Sequence, residues 1–478
     1  MDGLLKKDLE NFSEILNHAV KIAQHHFNRQ QTLPPGRFIP DLPMANLPSK
    51  GMGAIATLDY FENNFADKLT NSTGPRYFGF VTGGATPASV AGDWLVSAYD
   101  QNACGSNDSI APQIERQTIH FFKELFGLDP EYFGSFVTGA TLANFASLAL
   151  ARQWVGEQRG IDFSNEGLTG PSVKVLSATA HSSTLKSLSM LGIGRKSLIK
   201  LETLPEREAV DIKSLEKTLR ENPEPLIVVA NAGTVNTVDF DDLEAIGALK
   251  TKYNFWLHVD AAFGGFAACS EKYSHLVKGM NHADSITIDA HKWLNVPYDA
   301  AMQFTRHKNI QLRVFQNSAA YLTDAEKSLD YFHYTPENSR RFRALPAWFT
   351  LVAYGKEGHR EIVERNCDVA QYFGELIESS EDFKLLAPVN MNVVCFTLKD
   401  ENVTADAIRK FLEAVRDDGR VFFTPTVLRG VPAIRAAISN WLTKRDDIDL
   451  AFEVINAVNQ KLKHVQPAQN NLSNIPFR

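Results

Sequence analysis

The chain has 478 residues, 44% of them hydrophobic and 22% charged, with a formal net charge of −7. At roughly 100–200 residues per domain this length suggests two or three domains, and a mildly acidic balance argues against nucleic acid or an anionic membrane as the main partner. Cys104, Cys269, Cys367 and Cys395 are scattered with no Cys-x-x-Cys pair, so neither a metal site nor a disulfide framework is indicated and reduced thiols are expected. The opening residues carry no signal-peptide pattern, and no apolar run approaches the ~18 residues needed to span a bilayer. A soluble cytoplasmic protein is expected.

In chain order, Leu9, Phe12, Leu16, Ala19, Val20 and Ala23 recur at helical spacing and predict an amphipathic helix over 4–26. Pro34, Pro35, Pro40, Pro43 and Pro48 then exclude helix and central strand. This stretch reads as an extended arm. Its apolar residues, among them Phe38, Leu42, Met44 and Leu47, call for cover by the protein's own body or by a second subunit. Short β-branched or apolar runs over 173–176, 226–230, 255–259 and 286–288 read as strands, and helical patterns over 142–154, 184–191 and 243–252 lie between or before them. Such alternation predicts a mainly parallel sheet covered on both faces, with ligands at the carboxyl ends of the strands. Beyond residue 346 the pattern changes: a long helix over 347–376, a strand over 392–398, a helix over 405–415, and strand-like runs over 420–424 and 433–438. The organisation expected is a helix and arm (1–72), a large α/β domain (73–345) and a smaller α+β domain (346–478).

The chemistry concentrates at strand ends. The run Ser285-Ile-Thr-Ile-Asp-Ala-His-Lys ends a buried strand on Asp289 and sets His291 beside Lys292. A lysine at the mouth of a buried strand is poorly solvated, which favours the neutral amine that can attack an aldehyde. Upstream, Trp256-Leu-His-Val-Asp-Ala-Ala ends a second strand on Asp260. A lysine for an aldehyde and a carboxylate for a pyridine nitrogen are what pyridoxal 5′-phosphate requires of a protein. Ala262 has only a methyl group and can lie beneath a flat ring; a helix cap or a salt bridge is the other reading of Asp260. Phe136-Val-Thr-Gly-Ala-Thr opens a long helix, where the free N–H groups of Ala140 and Thr141 can bind phosphate. Alone this is equally the pattern of an ordinary capped helix. His181 follows the 173–176 strand and can stack on a ring or simply hydrogen-bond in its turn. Thr234, after the 226–230 strand, offers a hydroxyl or belongs to a plain strand-end turn.

In this order and spacing the segments resemble the group II pyridoxal-phosphate decarboxylases, which include the aromatic-amino-acid, histidine, glutamate and cysteine-sulfinate decarboxylases. The resemblance covers residues 75–443; Asp289-Ala-His-Lys-Trp-Leu is its most specific part, joined by Val259-Asp-Ala-Ala-Phe-Gly-Gly and Ser339-Arg-Arg-Phe-Arg-Ala-Leu. It implies a fold-type-I, aspartate-aminotransferase-like architecture with a seven-stranded sheet, and a homodimer with its active site at the interface. It also implies roles: Lys292 as the lysine joined to the cofactor, Asp260 as the pyridine-nitrogen partner, and His181 as the ring-stacking residue. Ala140, Thr141, Thr234 and His291 become cofactor contacts, and Arg341 and Arg343 buttresses. Tyr321 matches a loop tyrosine that protonates Cα after CO2 leaves, where relatives with phenylalanine tend to make aldehydes. The implied activity is decarboxylation of an L-amino acid to its amine. Transamination, aldehyde synthesis, retro-aldol cleavage and a silent cofactor-binding relative are the alternatives. The segment matching the family's substrate-binding stretch departs from it. Phe80 and Val81 keep it apolar and lean towards an aromatic or apolar side chain, whereas Gly83 and Gly84 are expected to make it more open.

Overall fold

The computed structural model describes residues 3–39, 41–105, 109–317 and 330–465. Strands β1 (Phe133–Val137), β2 (Val175–Ser177), β3 (Leu198–Lys200), β4 (Leu226–Asn231), β5 (Phe255–Asp260), β6 (Ser285–Asp289) and β7 (Ala301–Thr305) form one sheet in the order β1-β7-β6-β5-β4-β2-β3. From β3 to β6 neighbours run parallel, and β7 is antiparallel to both its partners. Side chains alternate across a strand, so β4 sends Leu226, Val228 and Ala230 into one apolar cluster. Ile227 and Val229 join Leu148, Leu188 and Trp256 in a cluster on the other face. Burial on both faces is why these strands read as unbroken apolar runs.

A second sheet contains β8 (Phe383–Leu385), β9 (Val393–Leu398), β10 (Thr424–Leu428) and β11 (Val431–Ala437), all antiparallel, in the order β10-β11-β9-β8. Its core takes in Phe78 from far upstream. The Phe78 amide donates to the Phe422 carbonyl, and its own carbonyl accepts from the Ala437 amide, each at 2.9 Å. The helix Ala344–Glu378 serves both units: Leu345, Ala347 and Leu351 pack in the first core, Phe373 and Ile377 in the second. Gly355 interrupts it with φ 60° and ψ −170°.

Two expectations are corrected. The N-terminal helix is two helices, Gly3–Glu10 and Phe12–Arg29. At the junction the Asn11 side chain donates to the Lys7 carbonyl at 2.7 Å, a local bond that competes with the helical one. The run 420–424 is not a strand: Phe422 pairs with Tyr77 in a single bridge, and β10 starts at Thr424. The arm receives little cover from its own body, with Met44 99% and Leu47 95% exposed.

Candidate active site

Strands β2, β4, β5 and β6 deliver their carboxyl ends to one cavity of about 530 Å3, and β11 closes it from the second sheet. Phe80, Val81, Ala140, His181, Thr234, Asp260, Ala262 and Lys292 all border it. Thr141 and His291 do not. Thr141 offers its carbonyl to the Ser187 hydroxyl, and His291 lies against the Tyr298 ring, 4.3 Å between centroids. Tyr321 lies outside the described residues. A cleft of similar volume, about 500 Å3, lies along the helix Ala344–Glu378 among Glu357, Arg360, Glu361 and Arg365. Arg365 is bound to Glu361 there, and no strand end reaches that cleft.

Lys292 is not the isolated amine that strand-end burial alone leads one to expect. Its Nζ lies 2.8 Å from Asp289 Oδ2, and the Phe263 ring centroid is 5.7 Å away. The other Asp289 oxygen accepts from the Ala140 amide at 2.6 Å. A carboxylate of this chain therefore holds the helix N–H that the sequence offers to phosphate. It also ties the start of the helix Ala140–Gln158 to the lysine turn.

Asp260 is buried and held from behind. Its Oδ2 accepts from Asn144 Nδ2 at 2.9 Å, and its Oδ1 from the Ala262 amide at 3.2 Å. Asn144 Nδ2 also donates to Ser183 Oγ, which leaves the amide oxygen for His258 Nε2 at 2.9 Å. Nε2 must then carry the ring proton, and Nδ1 accepts from the Ser285 hydroxyl at 3.0 Å. Ser285 Oγ in turn accepts from the Trp256 indole at 2.9 Å. Every hydrogen bond in this chain has a donor and an acceptor when His258 is neutral. Burial agrees, holding its pKa down at about 4.

His181 Nδ1 accepts from the Ser183 amide at 3.2 Å and caps the helix Ser182–Met190, which again puts the proton on Nε2. Burial lowers its pKa below the usual histidine value. Thr234 donates its hydroxyl to Glu208 Oε2 at 2.7 Å. Arg435, on β11, reaches the cavity with its Nη1 on the Val235 carbonyl at 3.1 Å. It is buried, has no carboxylate partner among the described residues, and its Nε has no acceptor. Asn231 Nδ2 is a second buried donor without an acceptor in the lining.

Gly83 does not open the substrate segment as expected. A Cβ there would lie 1.6 Å from the Lys292 carbonyl oxygen. The residue is glycine because the chain passes hard against the lysine turn. Arg341 pairs with Asp93 and Arg343 with Asp299, both away from the cavity lining. The more deeply buried arginine is Arg340, paired with Glu115 at 2.8 Å.

Sequence reasoning missed Asp289, Asn144, Glu208 and Arg435 as site residues. The DAHK motif displayed Asp289 openly, as the end of a strand. Arg435 had the signal of a lone cation inside a strand-like apolar run.

The pyridoxal-dependent decarboxylase conserved domain matches residues 39–399. Over 486 aligned residues the chain is 26% identical to an aromatic-L-amino-acid decarboxylase of Bacillus atrophaeus, covering 98% of this chain and 99% of that one. It is 27% identical over 419 residues to a phenylacetaldehyde synthase of Petunia hybrida, covering 81% of each. Its fold is that of the Oryza sativa TDC solved with PLP and tryptamine, with a TM-score of 0.88 at 21% identity over 95% of this chain and 98% of that one. With three-quarters of the sequence inside the domain match and the strand-end lysine, aspartate and histidine gathered at one cavity, the chain belongs to the pyridoxal-dependent decarboxylase family of enzymes.

Proposed function

We propose that this protein decarboxylates an L-amino acid with an aromatic or apolar side chain, releasing the amine and CO2. One observation carries the reading. Lys292, Asp260 and His181, separate in sequence, border a single cavity together with the guanidinium of Arg435, which has no carboxylate partner among the described residues. The cavity suits the cofactor: its buried donors without acceptors, Asn231 Nδ2 and Arg435 Nε, match an acceptor-rich ligand, and Ala262 leaves space beside Asp260. When bound, pyridoxal phosphate supplies a sink for the electrons left as the bond from Cα to the carboxylate breaks. Lys292 is the residue to hold its aldehyde, and Asp260, fixed by Asn144, the residue to hold its ring nitrogen. Arg435 and the His181 Nε2–H bind and orient the substrate carboxylate, which selects the bond that breaks. Phe80 and Val81 receive the side chain. Ala140 and Thr234 complete the cofactor's surroundings in the lining, Thr141 and His291 stand behind it, and Tyr321 delivers the proton to Cα.

Borohydride reduction followed by peptide mapping should find the cofactor on Lys292, and Lys292→Ala should lose it. Incubation with the twenty amino acids and dihydroxyphenylalanine should yield CO2 and one amine. A keto acid without CO2 overturns the proposal in favour of transamination. The likeness to a phenylacetaldehyde synthase keeps aldehyde formation as the second reading. Tyr321 favours the amine, so Tyr321→Phe should retain cofactor and lose amine. We further propose a cytoplasmic homodimer. The exposed apolar arm supports the dimer, and four free cysteines with no disulfide support a reducing compartment. Sedimentation equilibrium tests the dimer.

A further inference from the structure

We infer that Glu208 selects the substrate's side chain, accepting a hydrogen bond from a donor group at its far end. The inference rests on the decarboxylation reading and changes its side-chain class, from aromatic or apolar to one that ends in a hydrogen-bond donor. Glu208 borders the cavity that holds Lys292, and it also borders a second cavity of about 710 Å3 that Lys292 does not reach. It therefore stands where the two cavities meet, with Thr179 and Ala180. Its carboxylate has no cationic partner among the described residues. Arg207 is committed to Asp239 and Arg429 to Glu206, each at 2.6 Å, and Arg435, which borders the same cavity, makes no ion pair with Glu208.

Its position is fixed before any ligand arrives. The backbone amide donates to Asp239 Oδ2 at 2.9 Å, and the carbonyl accepts from the Thr179 hydroxyl at 2.7 Å. Oε2 accepts from the hydroxyls of Thr234 and Thr237, both at 2.7 Å. Oε1 receives only Asn236 Nδ2, at 3.5 Å, and so keeps acceptor capacity. The walls of the same cavity also include Phe80, Val81 and Phe263. An apolar side chain pressed into this space strips water from a carboxylate and gives nothing back, whereas a hydroxyl, ring N–H or ammonium restores the lost bond. A site built to pair a polar group rejects the analogue that lacks it. The class is therefore an L-amino acid ending in a hydrogen-bond donor, whether neutral, as in a phenol, or cationic, as in an ammonium.

The test compares holoenzyme turnover of tyrosine against phenylalanine and of ornithine against norvaline, in the wild type, Glu208→Gln and Glu208→Leu. In one pair the wild-type kcat/KM should favour the donor-bearing member at least tenfold, and Glu208→Leu should reduce that ratio tenfold or more. Glu208→Gln should keep the preference if the donor is a phenol and lose it if the donor is an ammonium. An unchanged ratio in both variants overturns the inference. Calorimetric binding of tyramine against phenethylamine, and of putrescine against butylamine, reads the same preference without turnover. Absence of CO2 from every amino acid overturns the decarboxylase reading; amine binding that ignores Glu208 overturns the inference alone.

Discussion

Under the seven-stranded sheet, buried polar groups are many and joined: Trp256, Ser285, His258, Asn144 and Asp260 form one hydrogen-bonded line that ends in the cavity. The four-stranded unit buries a different material. Phe396 meets Phe373, Phe383 and Phe423 edge-on, with centroids 5.7–6.2 Å apart, and Phe411 joins through Phe383. The buried cation of that unit, Arg435, faces away from these rings towards the other unit. The hydrogen-bonded line thus serves the site, and the phenylalanine cluster serves the fold. An apolar core supplies stability without orientation, while a hydrogen-bonded line supplies orientation and costs stability wherever a partner is lost.

The sharpest way to break this contrast is Phe396→Ala. It should cost about 3–5 kcal/mol in urea unfolding, as large-to-small aromatic changes in cores do, yet leave turnover per folded molecule near wild type. Acid gives the next effect. His258 in the first unit and His359 on the helix shared by both are buried, and burial lowers each pKa to about 4. The unfolded chain, with histidines near 6.5, takes up these protons first. Stability is therefore full above pH 6.5 and falls as pH drops towards 4, by up to about 3 kcal/mol per histidine. Unfolding of His359→Leu at pH 7 and at pH 4.5 should show one histidine's share of that loss removed. Gly83→Ala tests the lysine turn. Its methyl forces the Lys292 carbonyl aside, and a misplacement of about 1 Å should lower kcat/KM about a hundredfold. A smaller effect is expected for Asn144→Leu. It orphans His258 and one Asp260 oxygen at about 1–3 kcal/mol of stability, and it should shift the pH dependence of the visible cofactor absorbance.

Strands β2, β4, β5 and β6 and the lysine, aspartate and histidine at their ends were legible because a strand buried on both faces writes a continuous apolar run, whereas the half-buried β3, parallel to β2, was not read. Strand β7, Ala301–Thr305, was not: it carries Gln303 in its middle, and its burial is set by β1 and β6 on either side. The residues missed at the site are missed for one reason. Asp289 meets Ala140 across 149 positions, and Arg435 meets Val235 across 200. No local periodicity records a pairing at that range. The role of Gly83 was hidden in the same way, since a bare glycine signals freedom unless one knows what presses on it.

The break at Gly355 has a consequence of its own. The helix Ala344–Glu378 is rooted in both cores, and a Cβ added at Gly355 would touch nothing, so no packing contact at the joint itself dictates the break. Any residue with a Cβ would fit that solvent-facing space yet be strained at φ 60°, so glycine is kept there by torsion and not by room.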